Sequence, residues 1–202
     1  MQDVVYCFCY GGIEKKMRCD IFYDLFNIGI NKGKPCIIID IKNNLNNIVE
    51  ITTKEIINKV NKLSTDHNCI LILIQGEEPL HCIGIRTLLT QLIKNKYKTY
   101  VVTSGDQLFQ KVHGRWVYGN LFYIVEVKKI STNEIINKEN RLIKGDEIIL
   151  KTKKNNLHNI HNWLQINPPG TGVKILIKPI KNSEKNSIKE FVKQHPYTRM
   201  YI

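Results

Sequence analysis

What this chain lacks sets its first limits. No apolar stretch approaches the roughly 20 residues that a membrane-spanning helix needs, and no linker is rich in Pro, Gly or Ser. The opening residues, Met1 to Tyr10, show neither the basic start and long apolar segment of a secretory signal nor the Arg-rich pattern of a transit peptide. The expectation is an intracellular protein with no membrane partner, in the cytoplasm or an organellar matrix. No internal repeat is visible, and no Ser-His-Asp or Cys-His arrangement can be recovered from spacing. Acidic residues are scarce in the last third. From Arg141 onward there are twelve Lys and Arg but only four acids, Asp146, Glu147, Glu184 and Glu190, a surplus of eight.

The cysteines are also sparse where chemistry would want them dense. Cys7, Cys9, Cys19, Cys36, Cys69 and Cys82 are scattered. Cys7-Phe8-Cys9 on a strand would share one face, but a zinc site needs a second closely spaced pair, so no metal site is expected. Cys36 and Cys69 open apolar runs and read as buried thiols. His158 and His161, three apart on a helix, read as polar surface. Gly170-Thr171-Gly172 is followed by a strand, whereas a phosphate loop requires a helix.

What is present is a chain of 202 residues, 43% hydrophobic, with a net charge of +12. That length suits one domain, residues 1–202. The charge favours polyanions, because phosphate contacts supply most non-specific nucleic-acid affinity. The abundance of Lys, Asn and Ile together also fits an AT-rich genome, which gives the same charge a compositional source. A basic C-terminal helix and tail, about 183–202, interleaves Lys189, Lys193 and Arg199 with His195, Tyr197 and Tyr201, suited to phosphate contact and base stacking. Lys111, His113, Arg115, Trp116 and Tyr118 form a second such group.

Val4 to Tyr10 reads as a strand ending at Gly11-Gly12. Cys36 to Ile41, Cys69 to Ile74 and Tyr100 to Thr103 are near-continuous apolar runs of the kind buried on both faces of a parallel sheet. Between them lie two helices. Thr52 with Glu55 makes a capping box before Ile56, Ile57, Val60 and Leu63, and Ile83 to Ile93 turns Ile85, Leu88, Leu89 and Leu92 inward. Strands at 121–127 and 147–152, a helix at 156–164, a last strand at 173–177 and a terminal helix capped by Ser187 and Glu190 complete the pattern. Alternating strand and helix predict an α/β protein with a mostly parallel sheet. Ligands then belong at the carboxyl ends of the strands.

Gln75-Gly76-Glu77-Glu78-Pro79 resembles the Gly-Gly-Glu-Pro motif of radical S-adenosylmethionine (SAM) proteins, and Thr103-Ser104-Gly105 resembles the Thr-Asn-Gly of a subset of them. Ile21 to Pro35 and the closing Pro196 to Ile202 are similar to the 7-carboxy-7-deazaguanine synthases of queuosine-precursor biosynthesis. The last segment stops before that family's usual Gln-Thr-His. The resemblance implies a partial (β/α) barrel-like sheet of the radical SAM type, with Gly76, Glu78, Thr103 and Ser104 at a vestigial cofactor site.

It also implies a four-iron cluster on three cysteines in the loop after the second strand. Here that loop, Lys42-Asn43-Asn44-Leu45-Asn46-Asn47, has none, and amides cannot replace the soft sulfur ligands that retain iron. Glu77 stands where the motif has its second glycine, and Ile28 where the family has a substrate-holding glutamate. These departures from the family pattern imply no catalytic residues and no cofactor. The reading is a non-catalytic subunit that binds within an RNA-rich assembly such as a ribosome. Two alternatives stay open. One is an active synthase whose iron-sulfur cluster and S-adenosylmethionine are held through Cys7, Cys9 and Cys19. The other is a regulatory homologue that binds a protein partner or its own copy through the family's dimer surface.

Overall fold

The computed structural model describes residues 16–42, 50–105, 120–127, 142, 145–166, 172–195 and 198–201. Along these residues run β1 (Lys16–Leu25), β2 (Pro35–Ile41), β3 (Glu50–Thr52), α1 (Thr53–His67), β4 (Leu71–Gly76) and α2 (Ile85–Lys94). Then come β5 (Lys98–Thr103), β6 (Leu121–Val127), β7 (Glu147–Thr152), α3 (Leu157–Ile166), β8 (Lys174–Pro179), α4 (Lys185–Gln194) and β9 (Thr198–Met200). The described strands form one nine-stranded sheet in the order β3-β1-β2-β4-β5-β6-β7-β8-β9. From β2 through β9 every neighbouring pair is parallel. β1 runs antiparallel to β2, with Cys19 opposite Ile41 and Leu25 opposite Pro35, and β3 runs antiparallel to β1. Parallel strands laid side by side in chain order are the layout of a (β/α) barrel. Among the described residues the sheet ends at β3 and β9.

Side-chain alternation gives the sheet two unlike faces. One carries the larger core, where Ile37, Ile39, Ile72, Ile74 and Val101 meet Ile56 and Val60 of α1, Leu88 and Leu92 of α2, Ile160 of α3 and Ile188 of α4. The other, inner face carries Cys36, Ile38, Leu73, Tyr100, Ile124, Ile149 and Leu176, covered by Phe26 and Tyr201. Helix α1 starts as expected. Thr52 Oγ1 accepts the Glu55 N–H (3.2 Å), and the Glu55 carboxylate accepts the Thr52 N–H (2.7 Å).

Several expectations are corrected. β4 starts two residues after Cys69, because the Cys69 N–H turns back to the Ser64 carbonyl at the left-handed exit of α1. β5 starts at Lys98, whose N–H bonds to the Ile70 carbonyl. Ser187 does not cap the terminal helix. A 3-10 turn, Asn182–Glu184, runs directly into α4, and Glu184 accepts the Lys181 N–H ahead of it. The strand at 174–179 is not the last, since β9 pairs with it in parallel, Ile175 beside Thr198. The strand at 4–10 and the turn at Gly11-Gly12 lie outside the described residues.

Candidate functional site

The carboxyl ends of β2, β4 and β5 converge, and there the sequence-derived residues meet. Gly76 closes β4 beside Ile41, with φ +126°, and a Cβ there would overlap the Ile41 carbonyl oxygen. Only glycine fits that approach. The chain then turns through Glu78 in the left-handed region (φ 51°, ψ 72°) and enters a 3-10 turn, Pro79–His81, with proline at its first position.

Both carboxylate oxygens of Glu78 bond to the end of β5. One accepts the Thr103 hydroxyl and the other accepts the Ser104 N–H at 2.7 Å. Thr103 Oγ1 in turn accepts the Gly105 N–H at 3.1 Å. Gly76, Glu78, Thr103 and Ser104 therefore form one hydrogen-bonded corner. Nearby, Gln75 Oε1 accepts Asn27 Nδ2 at 3.1 Å. Lys42 pairs with Asp40 and lies 3.7 Å from Asp20, and the bond to Asp40 is the main cause that pushes the Lys42 ammonium pKa up.

Below this corner the inner face is filled. Phe26 meets Tyr100 edge-on (5.3 Å, 88°), and Tyr100 stacks on Phe122 (5.0 Å). Ile28 packs against this cluster. The turn it belongs to is held by two residues that sequence reasoning missed. Glu147, 1% exposed, accepts the Ile30 N–H at 2.9 Å, and a Cβ on Gly29 (φ +71°) would collide with the same carboxylate. Burial pushes the Glu147 carboxyl pKa up. Its Oε1 and the Asn31 Nδ2 are buried and find no hydrogen-bond partner among the described residues. Tyr201, also buried, donates its phenol hydroxyl to the Asn27 carbonyl at 3.0 Å. The one sequence signal for Glu147 is an acid opening an apolar strand.

The described thiols do not make an iron site. Cys19, Cys36 and Cys69 are buried, and burial pushes Cys19 and Cys36 up to about 12, so neither is a ready thiolate at neutral pH. Cys19 belongs to the helix-covered core and Cys36 to the inner face. Among the described residues no three His, Cys, Asp or Glu side chains are placed to hold a metal ion. Residues 43–49 contain no sulfur at all. The donor set does not fit a thiolate-held cluster. Cys7 and Cys9 lie outside the described residues.

The basic groups separate. Lys189 and Arg199 are exposed, and Lys193 pairs with Glu190 at 2.7 Å. The tail does not present all its rings outward. His195 stacks on Phe191 (4.0 Å) and bonds to His161 (2.9 Å), and Tyr201 is buried, so packing against α3 and the inner face takes both away from base stacking. His161 is thus a half-buried contact between α3 and α4 rather than surface, while His158 bonds to Asn162. Lys111, Arg115 and Tyr197, together with Gly170 and Thr171, lie outside the described residues. No described helix is long and apolar enough to cross a membrane.

No protein-family model matches the chain, and no curated protein does. Solved structures do. The crystal structure of QueE from Escherichia coli superposes with a TM-score of 0.66 at 13% identity, covering 93% of this chain and 94% of that one. Streptococcus suis SuiB bound to S-adenosylmethionine gives 0.54 at 12% identity, over 73% of this chain and 41% of SuiB. SuiB bound to its precursor peptide SuiA gives 0.56 at 10%, over 94% and 48%. The chain is therefore an α/β, mostly parallel, partial barrel of the radical SAM type that carries no cysteine motif in the loop after β2.

Proposed function

We propose that this protein is a non-catalytic descendant of the 7-carboxy-7-deazaguanine synthases, repurposed as a binding or structural subunit of an RNA-rich assembly such as a ribosome. The observation that carries the reading is the donor set after β2: carboxamides and aliphatic side chains where three thiolates would have to stand. Soft sulfur ligands are what retain such clusters. Two features of the strand-end corner support it. The Glu78 carboxylate bonds within the chain, and Ile28 replaces a substrate-holding carboxylate with an apolar contact. The net charge of +12, with its surplus in the last third, supports an RNA partner.

The test has two arms. Anaerobic incubation with iron and sulfide should leave the protein colourless and without a paramagnetic signal. Purification from the native cell should recover RNA, in an association that weakens steeply with salt. A stable brown product that cleaves S-adenosylmethionine overturns the non-catalytic reading. Salt-insensitive behaviour with no RNA recovered overturns the partner.

A further inference from the structure

The geometry points to the inner face of β7, β8 and β9 as the surface that takes an RNA phosphate backbone, through Lys151, Lys178 and Arg199. This inference rests on the RNA reading above and relocates the contact from the terminal helix to the opposite side of the sheet.

The registers place these cations together. Lys151 sits directly beside Lys178 on adjacent parallel strands, and Arg199 follows beside Leu176 on the next. Ile149, Leu176 and Tyr201 belong to the inner-face core, so alternation puts Lys151, Lys178 and Arg199 on that same face. Neighbouring strands are about 4.8 Å apart, and like charges opposed at that spacing destabilise a sheet. Lys178 Nζ lies 5.1 Å from the centre of the Tyr201 ring, and Lys32 Nζ from the turn lies 5.4 Å from the same ring. Glu126 lies 2.9 Å from Lys151 Nζ. Among the described residues, the strand cations Lys151, Lys174, Lys178 and Arg199 share this face with two acids, Glu126 and the buried Glu147. A bound polyanion would add to the counter-charge that these two acids supply.

The β1–β2 part of the inner face carries acids. Asp20 and Asp24 of β1 stand opposite Asp40 and Cys36 of β2, and Lys42 lies against Asp20 and Asp40. A phosphate chain is therefore attracted along β7 to β9 and repelled from β1 and β2. Lys189 and Lys193 lie on α4, whose buried Ile188 and Phe191 pack on the other face. The two basic groups can be tested apart.

The experiment uses the full chain and a fluorescein-labelled oligouridylate of about 20 nucleotides, with anisotropy read across a KCl series. Each single-stranded phosphate contact contributes roughly 0.7 to the slope of log affinity against log salt. The triple variant Lys151→Gln/Lys178→Gln/Arg199→Gln should lower that slope by about 2 and weaken binding at least about tenfold. Lys189→Gln/Lys193→Gln should change affinity less than about twofold. Glu126→Gln should tighten binding, a gain that misfolding cannot imitate, and Lys178→Arg should keep wild-type affinity. A helix-side loss that equals or exceeds the inner-face loss overturns the site and leaves the RNA reading standing. Absence of any wild-type binding overturns both.

Discussion

Removing the Glu78 side chain decides whether that carboxylate serves the fold. It accepts two hydrogen bonds from β5, one from the Thr103 hydroxyl and one from the Ser104 N–H. A bond to a charged group contributes about 1.5–3 kcal/mol, and because the two share one carboxylate their sum is less than additive. Glu78→Ala should therefore destabilise by about 3 kcal/mol. Glu78 also sits in the left-handed region at φ 51°, which costs a non-glycine residue about 1–2 kcal/mol. Glu78→Gly loses the same bonds but escapes that strain, so it should be the milder substitution. Glu78→Gln keeps one acceptor and should cost least. Urea denaturation of the three variants gives the order directly, and a cycle with Thr103→Val should show coupling near 1 kcal/mol or more. An alanine variant as stable as wild type, or a glycine variant worse than alanine, would refute this account.

Glu147 gives a pH signature. Burial holds its folded carboxyl above the unfolded value of 4.5, so the native state retains the proton longer. Stability then falls as pH rises from that unfolded value through the raised folded one, and levels off above it. Glu147→Gln should remove this slope, which urea midpoints between pH 4 and 8 will show as a difference between variant and wild type that widens with pH. At the start of α1, Thr52→Ala should cost about 1 kcal/mol through the lost capping box, and Thr52→Ser should restore it, measured by thermal or urea unfolding. An alanine variant within a few tenths of wild type would refute the cap's contribution.

The parts of the fold legible from sequence are those settled by neighbours a few positions apart. The apolar run at 36–41, the strands read at 121–127 and 147–152, and the Thr52–Glu55 box are local patterns, and the strands and helix appear where those patterns lie. The four strand-end residues were legible through their place after apolar strands and the Gly-Gly-Glu-Pro and Thr-Asn-Gly resemblances, but their bonding was not. Glu147 reaches a backbone N–H 117 positions away, and Tyr201 a carbonyl 174 positions away. No periodicity encodes such pairings. The tail misled for a related reason. Alternating cations and rings suit an exposed phosphate-binding arm, but the same alternation suits an edge strand with one wet face, and β9 is that strand.

The bond from Tyr201 to Asn27 has a consequence for synthesis. A contact between positions so far apart cannot form until Tyr201 itself has left the exit tunnel. Until then the aromatic floor around Phe26 and Tyr100 lacks its final cover, and the nascent chain exposes oily surface to its surroundings. Chaperone demand should therefore persist until this tyrosine emerges and subside once it docks.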